Sequence, residues 1–377
     1  MDLNFYSQRL TVRYFEVEEF RDGFIVRDPF GFFEDLFFTP QALYLIGLFD
    51  GKRTIDDIKN EFFKATGIIL SDREIIEFIK QMDNYYLFYN DRFINRVEEE
   101  RKKILNLEYK SISLVEDITR IKNFIKQNIV DETEDNIIAL IVPHIDLKIA
   151  MDTYLKTYSK IKNSKRKIFF IFGVAHSIHI TPFSVFPKNY FTDRVVKFHS
   201  EIINYMRNLF GYDIHFDVIS YKNEHSVEFP IIFLDSIFDN FYVIPSIVAY
   251  AKDKNELKII SERIYKAIER YKEDIILISS VDLSHVGKKF GDKVYYEPNE
   301  VDLKYIDMLL KLENDKAFDF LEKYQNQTRI DGQFTNYVFL EVLKYFNVRE
   351  GKLIEYKNYY EPLTSSGVSY CSIIFKL

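Results

Sequence analysis

The sequence predicts an α/β protein with a mostly parallel sheet flanked by helices, preceded by a small α+β domain at the N-terminus. From residue 136 onward, short apolar runs alternate with amphipathic helical stretches. The apolar runs are rich in β-branched residues and are bounded by polar ones, which is typical of parallel strands covered on both faces. We therefore expect three zones: residues 1–95 as the small domain, 96–135 as a charged helical linker, and 136–377 as the α/β domain.

Bulk composition limits the class of protein. The chain has 377 residues, 47% of them hydrophobic, which is enough for two domains. No apolar run reaches the ~18 residues of a membrane span, and no long basic block indicates nucleic-acid binding in a chain of net charge −7. The start lacks the pattern of a secretory signal, and the single cysteine, Cys371, fits a reducing compartment. We expect a cytoplasmic protein in which Cys371 is buried in the core.

The small N-terminal domain is predicted to begin with strands and continue with three helices. The strand-like segments are "TVRYFEVEEF" and "DGFIVRD". The first helix is expected to begin at Thr39-Pro40 and the second at Thr54, because a threonine side chain can cap a helix. The third is expected at Ser71, where Ser71 and Glu74 have the spacing of a capping box. The segment "YYLFYNDRFIN" is predicted to form a closing strand.

This order of elements, with "LFDGKRTIDDI" at its centre, resembles the small winged-helix domain of pyrroloquinoline-quinone biosynthesis protein D. The resemblance covers roughly residues 10–92. It implies that residues 1–95 bind a peptide or protein partner by adding it as a strand to a sheet edge. The alternative is a structural or dimerising winged helix, and this region contains no cluster of catalytic residue types.

The predicted strands of the α/β domain are "NIIALIVP", "KIFFIFGV", "FYVIPSIVAY" and "DIILISSV". Between them lie predicted helices such as "VVKFHSEIINYMRNLF" and "KNELKIISERIYKAIERYKE". In open sheets of this kind, ligands bind beyond the carboxyl ends of the strands. The functional residues should therefore follow these four runs.

Three of the seven histidines lie at such strand ends. His144 follows "ALIVP", His176 follows "IFFIFGVA" and His285 follows "ILISSVDLS", while His225 lies in a loop that leads into a helix. A single histidine near an apolar run is usually structural, but three at equivalent ends of one sheet should meet in one pocket. The remaining three are interpreted as structural: His179, His199 and His215, although His179 is close enough to His176 to line the same pocket.

Six segments around and between these histidines occur in a characteristic order: "VPHIDL", "GVAHS", "EHSVEFP", "VIPSIVA", "SSVDLSHVGKKFG" and "SSGVSYCSIIF". Together they resemble the Memo family, whose bacterial and archaeal members are called AmmeMemoRadiSam system protein B. The resemblance covers residues 136–377. Memo proteins are similar to class III extradiol dioxygenases, which use non-haem iron in an α/β fold, so the resemblance implies the same fold here.

The resemblance also implies a metal site with His144 and His176 as ligands and His285 at the acid–base position. In the family, a cysteine in a "CG" dipeptide completes the site. Here that position is Asp331-Gly332, in "TRIDGQFTNY", so an aspartate replaces the cysteine. The usual "PHAGY" segment also differs, because this chain has "PHIDL".

An aspartate at this position makes the predicted site harder than one with a thiolate. Two imidazoles and one carboxylate form the facial triad of non-haem Fe(II) oxygenases, whereas a thiolate favours Cu(I) or zinc. Fe²⁺ is the expected metal, with Zn²⁺ or copper as alternatives. Asp-Gly is also a strong turn signal, so Asp331 could instead be only a turn residue.

The other candidate residues surround this predicted metal. His285 could act as a general base, because imidazole titrates near neutral pH. Asp282 could orient the His285 ring, although Asp282 or Ser284 could equally cap a following helix. Glu224 and His225 are expected to form a wall that handles protons or donates and accepts hydrogen bonds.

The sequence supports three hypotheses of function. The first is a non-haem iron oxidoreductase, similar to a dioxygenase, that acts on a small-molecule substrate; the resemblance adds a radical S-adenosylmethionine enzyme and an AMME-type protein as partners. The second is a non-catalytic scaffold that binds a peptide through the N-terminal domain. The third is a zinc-type hydrolase in which metal-bound water attacks a carbonyl.

Overall fold

The computed structural model describes residues 9–112, 114–115 and 117–377. The chain divides into two compact units, Met1–Lys103 and Ile104–Leu377. Each unit has its own hydrophobic core. None of the helices in the described ranges has the length and apolarity needed to cross a membrane.

The first unit contains a small antiparallel sheet followed by helices. Its elements are β1 (Glu16–Phe20), β2 (Gly23–Arg27), β3 (Leu36–Phe38), α1 (Pro40–Gly47), α2 (Ile55–Thr66), α3 (Asp72–Asn84) and most of α4 (Asp91–Asn106). The sheet order is β1-β2-β3, so β1 is an edge strand, and all five of its residues are exposed. Peptide binding at this edge stays a prediction.

The predicted starts of the three N-terminal helices are confirmed. The Thr39 hydroxyl accepts a hydrogen bond from the Ala42 amide at 3.2 Å at the start of α1. Thr54 and Ser71 each form a capping box, which satisfies amides that a helix leaves unpaired in its first turn.

The predicted closing strand "YYLFYNDRFIN" is wrong. Within it, Phe88 forms an isolated bridge with Val12, and α4 begins at Asp91. The Asn90 side chain accepts a hydrogen bond from the Phe93 amide at 3.1 Å, so Asn90 caps a helix where a strand was expected.

The second unit alternates strands and helices along most of its length. Its elements are β4 (Tyr109–Ser111), α5 (Ile118–Asn128), β5 (Ile137–Val142), α6 (Leu147–Ser159), β6 (Ile168–Val174), β7 (Phe183–Val185), β8 (Asn189–Phe191), β9 (Val195–Phe198), α7 (Ser200–Leu209), α8 (His225–Ile237), β10 (Tyr242–Val248), α9 (Lys254–Ile268), β11 (Ile275–Ser280), β12 (His285–Gly287), α10 (Asn299–Leu310), α11 (Asn314–Lys323), α12 (Gln333–Tyr345), β13 (Gly351–Glu361) and β14 (Ser366–Lys376).

The strands of this unit form one mixed sheet with a parallel centre. Its order is β12-β14-β5-β11-β6-β10-β9-β8-β4, with β13 paired to β14 and β7 paired to β10. Strands β5, β11, β6 and β10 run parallel, and β14 adds antiparallel to β5. The predicted α/β fold with helices on both faces is confirmed. One face packs mainly on α7, α9 and α12, and the other mainly on α6 and α8.

The charged segment 96–135 is more structured than the predicted linker. Within it, β4 pairs with β8 and so joins the main sheet, and α5 packs on α8. The buried Lys110 pairs with Glu228, and the buried Lys122 pairs with Asp235. These lysines are therefore paired inside the second unit, although charged residues in a linker usually face solvent.

The position of Cys371 gives a test of this fold. Its side chain lies in β14 and is buried, as predicted, and burial raises the pKa of the thiol. Because the thiolate is the reactive form, we expect a thiol reagent such as Ellman's reagent to leave the folded protein unlabelled. One thiol should react after unfolding in urea. Rapid labelling under native conditions would contradict the placement of β14.

Candidate functional site

Three neighbouring parallel strands end together at the candidate site. In the sheet register, Ser280 at the end of β11 lies opposite Val142 at the end of β5, and Ser279 lies opposite Phe172 of β6. Each strand is followed two positions later by a polar residue: His144, His176 and Asp282. The alignment of these strand ends brings together residues that are far apart in sequence.

His144 is held by the neighbouring strand and is almost fully buried, with 1% of its surface exposed. Its Nδ1 lies 3.0 Å from the carbonyl oxygen of Ser280. A carbonyl only accepts hydrogen bonds, so Nδ1 is the donor and Nε2 is the nitrogen left for a metal. The His144 amide donates to Asp282 Oδ1 at 3.0 Å, which fixes the backbone as well.

His176 is oriented by Glu224, which lies behind it. The Nδ1 of His176 lies 2.8 Å from Glu224 Oε1, and its amide donates to Glu224 Oε2 at 3.1 Å. Glu224 also caps α8 by accepting from the Ser226 amide. Burial raises the pKa of the Glu224 carboxyl, but the hydrogen bond and charge of His176 outweigh burial and lower it to about 2. Glu224 is therefore ionised at neutral pH and holds the imidazole in one orientation.

His225 is a third imidazole in the same group. It is the first residue of α8, and its ring centroid lies 4.9 Å from that of His144 and 4.2 Å from that of His176. One ligand atom of each histidine lies within 4.8 Å of the others. Burial and the two neighbouring imidazoles lower the pKa of His225 to about 3, which keeps this ring neutral. The sequence placed His225 in a wall of the pocket, whereas the geometry makes it a possible ligand.

Asp331 reaches the site from the turn before α12. Its Oδ1 accepts a hydrogen bond from the Asp282 amide at 3.0 Å, and its Oδ2 lies 2.8 Å from His144 Nε2 and 4.0 Å from His176 Nε2. A role limited to the local turn does not account for a carboxylate that contacts residues so distant in sequence.

Two buried polar atoms at the centre of the site face each other: His144 Nε2 and Asp331 Oδ2, 2.8 Å apart. Within the described part of the chain, neither atom has a hydrogen-bond partner outside this pair. Buried polar atoms in proteins usually have all their partners, because an unsatisfied one costs about 1–3 kcal/mol. Burial lowers the pKa of His144, but the carboxylates of Asp331 and Asp282 outweigh it and raise the pKa to about 10. The negative potential around His144 thus favours a cation at this point.

His285 lines the same cavity, but Asp282 does not orient it as predicted. The Nδ1 of His285 lies 2.9 Å from the carbonyl oxygen of Leu283 and 3.1 Å from that of Arg329. The carboxylate of Asp282 is directed to the His144 amide instead. Two carbonyls therefore hold the His285 ring and leave Nε2 as an acceptor.

The alternative in which Asp282 or Ser284 caps a following helix is also wrong. Strand β12 begins directly after Ser284, so no α-helix starts there. The Ser284 hydroxyl donates to the buried carboxylate of Asp302 at 2.6 Å, and the Ser284 amide donates to Ser369 Oγ at 2.9 Å. These bonds fix the loop that carries His285.

Arg329 is a functional candidate that the sequence reasoning missed. Its carbonyl accepts from the His285 ring, its Nε donates to the His285 carbonyl at 2.9 Å, and its guanidinium pairs with Asp292. Its backbone has φ 56°, a left-handed conformation that is uncommon for arginine. No local pattern in "TRIDG" indicated this role, because it depends on a contact between residues 44 positions apart.

The predicted structural role of the remaining histidines agrees with their contacts. His179 Nε2 lies 2.8 Å from Ser184 Oγ, His199 caps α7, and His215 Nδ1 lies 2.9 Å from the Val185 carbonyl. None of the three lines the cavity that contains His144.

Comparison with known proteins identifies the family. A family model described as "Memo-like protein" matches residues 114–374, most of the second unit. The chain belongs to the Memo family. A "MEMO1 family protein" of Aquifex aeolicus is 43% identical over 371 residues, covering 97% of this chain and 99% of that protein. A second, from Thermus thermophilus, is 24% identical over 331 residues, covering 84% and 97% of the two chains.

Residues of this Memo protein could hold a metal ion in two overlapping groups. The first is His144, His176 and His225, and the second is His144, Asp282 and Asp331. Both groups offer only imidazole nitrogen and carboxylate oxygen. The one cysteine, Cys371, lies in β14 and does not line the cavity. This donor set suits a divalent transition metal and does not favour Cu(I).

Gly332 allows Asp331 to approach the sheet closely. A Cβ atom at Gly332 would lie 2.7 Å from Asn336 Nδ2 and 2.9 Å from Val281 Cβ. Its φ of −77° is ordinary, so space and not backbone strain requires glycine here. The glycine of this dipeptide therefore sets the distance between the Asp331 turn and the end of β11.

Gly332→Ala is expected to lower the free energy of unfolding by about 1–3 kcal/mol, because the extra methyl group forces the turn away from β11. Urea unfolding measures the loss, and a metal titration should show weaker binding. Gly211→Ala is the matched control, since a Cβ there meets no atom within 4 Å. Equal effects of the two substitutions would contradict the role given to Gly332.

Proposed function

We propose that this protein is a non-haem iron oxidoreductase, similar to a dioxygenase, that holds Fe²⁺ through His144, His176 and Asp331 and acts on a small molecule. The observation that supports this proposal is the buried pair of His144 Nε2 and Asp331 Oδ2, 2.8 Å apart and with no other hydrogen-bond partner in the described part of the chain. The Nε2 of His176 lies 4.0 Å from the same oxygen. A cation bound among these three atoms would satisfy all of them.

The choice of iron depends on the ligand types. When bound to two imidazoles and one carboxylate, Fe(II) keeps open positions for substrate and O₂. Zn²⁺ and copper remain alternatives, but the carboxylate of Asp331 makes this a harder site than one completed by a thiolate. A radical S-adenosylmethionine enzyme and an AMME-type protein are the partners that we propose from the resemblance.

The residues around the three ligands keep them in position. The Ser280 carbonyl and the Glu224 carboxylate accept from Nδ1 of His144 and of His176, so Nε2 of each ring is the nitrogen left to bind the metal. The Asp282 amide holds one oxygen of Asp331 and leaves the other free. Such supporting hydrogen bonds typically contribute 10–100-fold to metal affinity or activity.

His285 is placed to accept a proton from a substrate hydroxyl in the cavity. The carbonyls of Leu283 and Arg329 hold its Nδ1–H, so Nε2 is the basic nitrogen. A general base in hydrogen-bonding reach of a substrate typically contributes 10²–10⁴-fold to the rate.

We expect His144→Ala or His176→Ala to abolish iron binding, and Asp331→Ala to weaken it by about tenfold or more. Metal analysis of protein purified without oxygen, followed by Fe²⁺ titration, measures these changes. His199→Asn is the control: it keeps a capping side chain on α7 and lies outside the candidate ligands. Full metal occupancy in either histidine variant would overturn the assignment. O₂ uptake by the iron-loaded protein then tests the oxidoreductase function.

A zinc-type hydrolase is the second candidate, and the group of three imidazoles favours it. Catalytic zinc is often bound by three protein ligands, including three histidines, with water in the fourth position. His144, His176 and His225 have the required proximity.

His225→Ala distinguishes the two candidates. If iron is bound by His144, His176 and Asp331, the His225→Ala protein should keep its metal, and Asp331→Ala should lose affinity. If zinc is bound by three histidines, the His225→Ala protein should lose metal affinity and the Asp331→Ala protein should keep its metal. The measurement is metal content and affinity of both variants, combined with assays for ester or amide hydrolysis without O₂.

A further inference from the structure

The cavity in front of the candidate ligands has the size and lining of a site for small molecules. Its volume is about 640 Å³, within the range typical of such sites. One part of its wall is apolar and is formed by Leu114, Ile145, Ile149 and Phe229. A ligand that fills the cavity therefore needs an apolar body.

Three charged side chains line the cavity in addition to the histidine and aspartate group: Asp146, Glu361 and Lys289. Both acids are engaged by their own turns. Asp146 accepts from the Lys148 amide at 2.8 Å and caps α6, and Glu361 accepts from the Thr364 hydroxyl at 2.9 Å. Within the described part of the chain, the Lys289 ammonium has no carboxylate partner. Lys289 is thus the charged group that is available to a ligand.

The backbone of Lys289 is fixed beside His285. The Lys289 amide donates to Ser366 Oγ at 2.8 Å, and the Gly287 amide donates to Asp292 Oδ2 at 2.8 Å. The next residue, Phe290, packs edge-on against the His285 ring with centroids 5.1 Å apart. The lysine side chain therefore starts from a rigid turn on the same side of the cavity as His285.

We propose that the substrate is a small organic acid with an apolar body, and that Lys289 binds its carboxylate. The apolar body then packs against Ile145, Ile149 and Phe229, in the cavity that His144, His176 and His285 also line. This inference rests on the proposed function, since it names the substrate class of the same site. Lys289 is the residue that sets specificity for an anion over a neutral or cationic analogue.

Benzoate, benzamide and benzylamine test this proposal, because they share a ring and differ in charge. Binding of each to the full-length protein is measured by ligand-observed NMR titration. We expect benzoate to bind most tightly. Lys289→Met should weaken the binding of benzoate by about fivefold, the effect of losing one partly exposed ion pair. It should leave the affinity for benzamide unchanged.

Lys288→Met is the matched control. Lys288 is the neighbouring exposed lysine on the same turn and does not line the cavity. It should alter benzoate affinity by less than about twofold, since the long-range effect of an exposed charge is screened by salt. Tighter binding of benzylamine, equal binding of benzoate and benzamide, or equal losses in the two lysine variants would overturn the proposal.

Metal content of each variant is measured in the same samples. If the protein holds no metal but Lys289→Met still selectively weakens benzoate, the proposed iron function fails and the acid site stands. If the metal is bound but the protein does not prefer benzoate, the proposed acid site is wrong and the proposed iron function stands.

Discussion

The geometry of the candidate site depends on Asp282, which joins three distant parts of the chain. Its carboxylate accepts from the His144 amide, and its own amide donates to Asp331. His144 follows β5, Asp282 follows β11, and Asp331 precedes α12. Because Asp282 is 2% exposed, water does not compete for these bonds. A change at this residue would move both His144 and Asp331.

The three histidines that follow sheet strands are held in a common way. His144, His176 and His285 each use Nδ1 to donate to a fixed oxygen, which leaves Nε2 for a ligand. The oxygens come from a strand carbonyl, a buried carboxylate and loop carbonyls. In each case the orientation of the ring is set before any ligand arrives, which lowers the cost of binding.

The charged segment 96–135 supports α8, the helix that begins with His225. Lys110 in β4 pairs with Glu228, one turn along α8, and both side chains are buried. Removing one partner of a buried pair costs about 3–5 kcal/mol, because the other charge is then left alone. Lys122 pairs with Asp235 on the same helix. The position of His225 thus depends on a segment whose sequence resembles a linker.

The sequence by itself determined most of the local elements, and its resemblance to the Memo family indicated His144, His176 and Asp331 as candidate ligands. Helix caps such as Ser71 and the buried strands depend on residues within a few positions of one another, so local patterns were sufficient. Only the tertiary structure decided that His225 joins the ligand group and that carbonyls, not Asp282, hold His285. Only the tertiary structure also showed that β14 pairs antiparallel with β5 and that β13 pairs antiparallel with β14. These features depend on contacts between residues tens of positions apart, which spacing along the chain does not reveal.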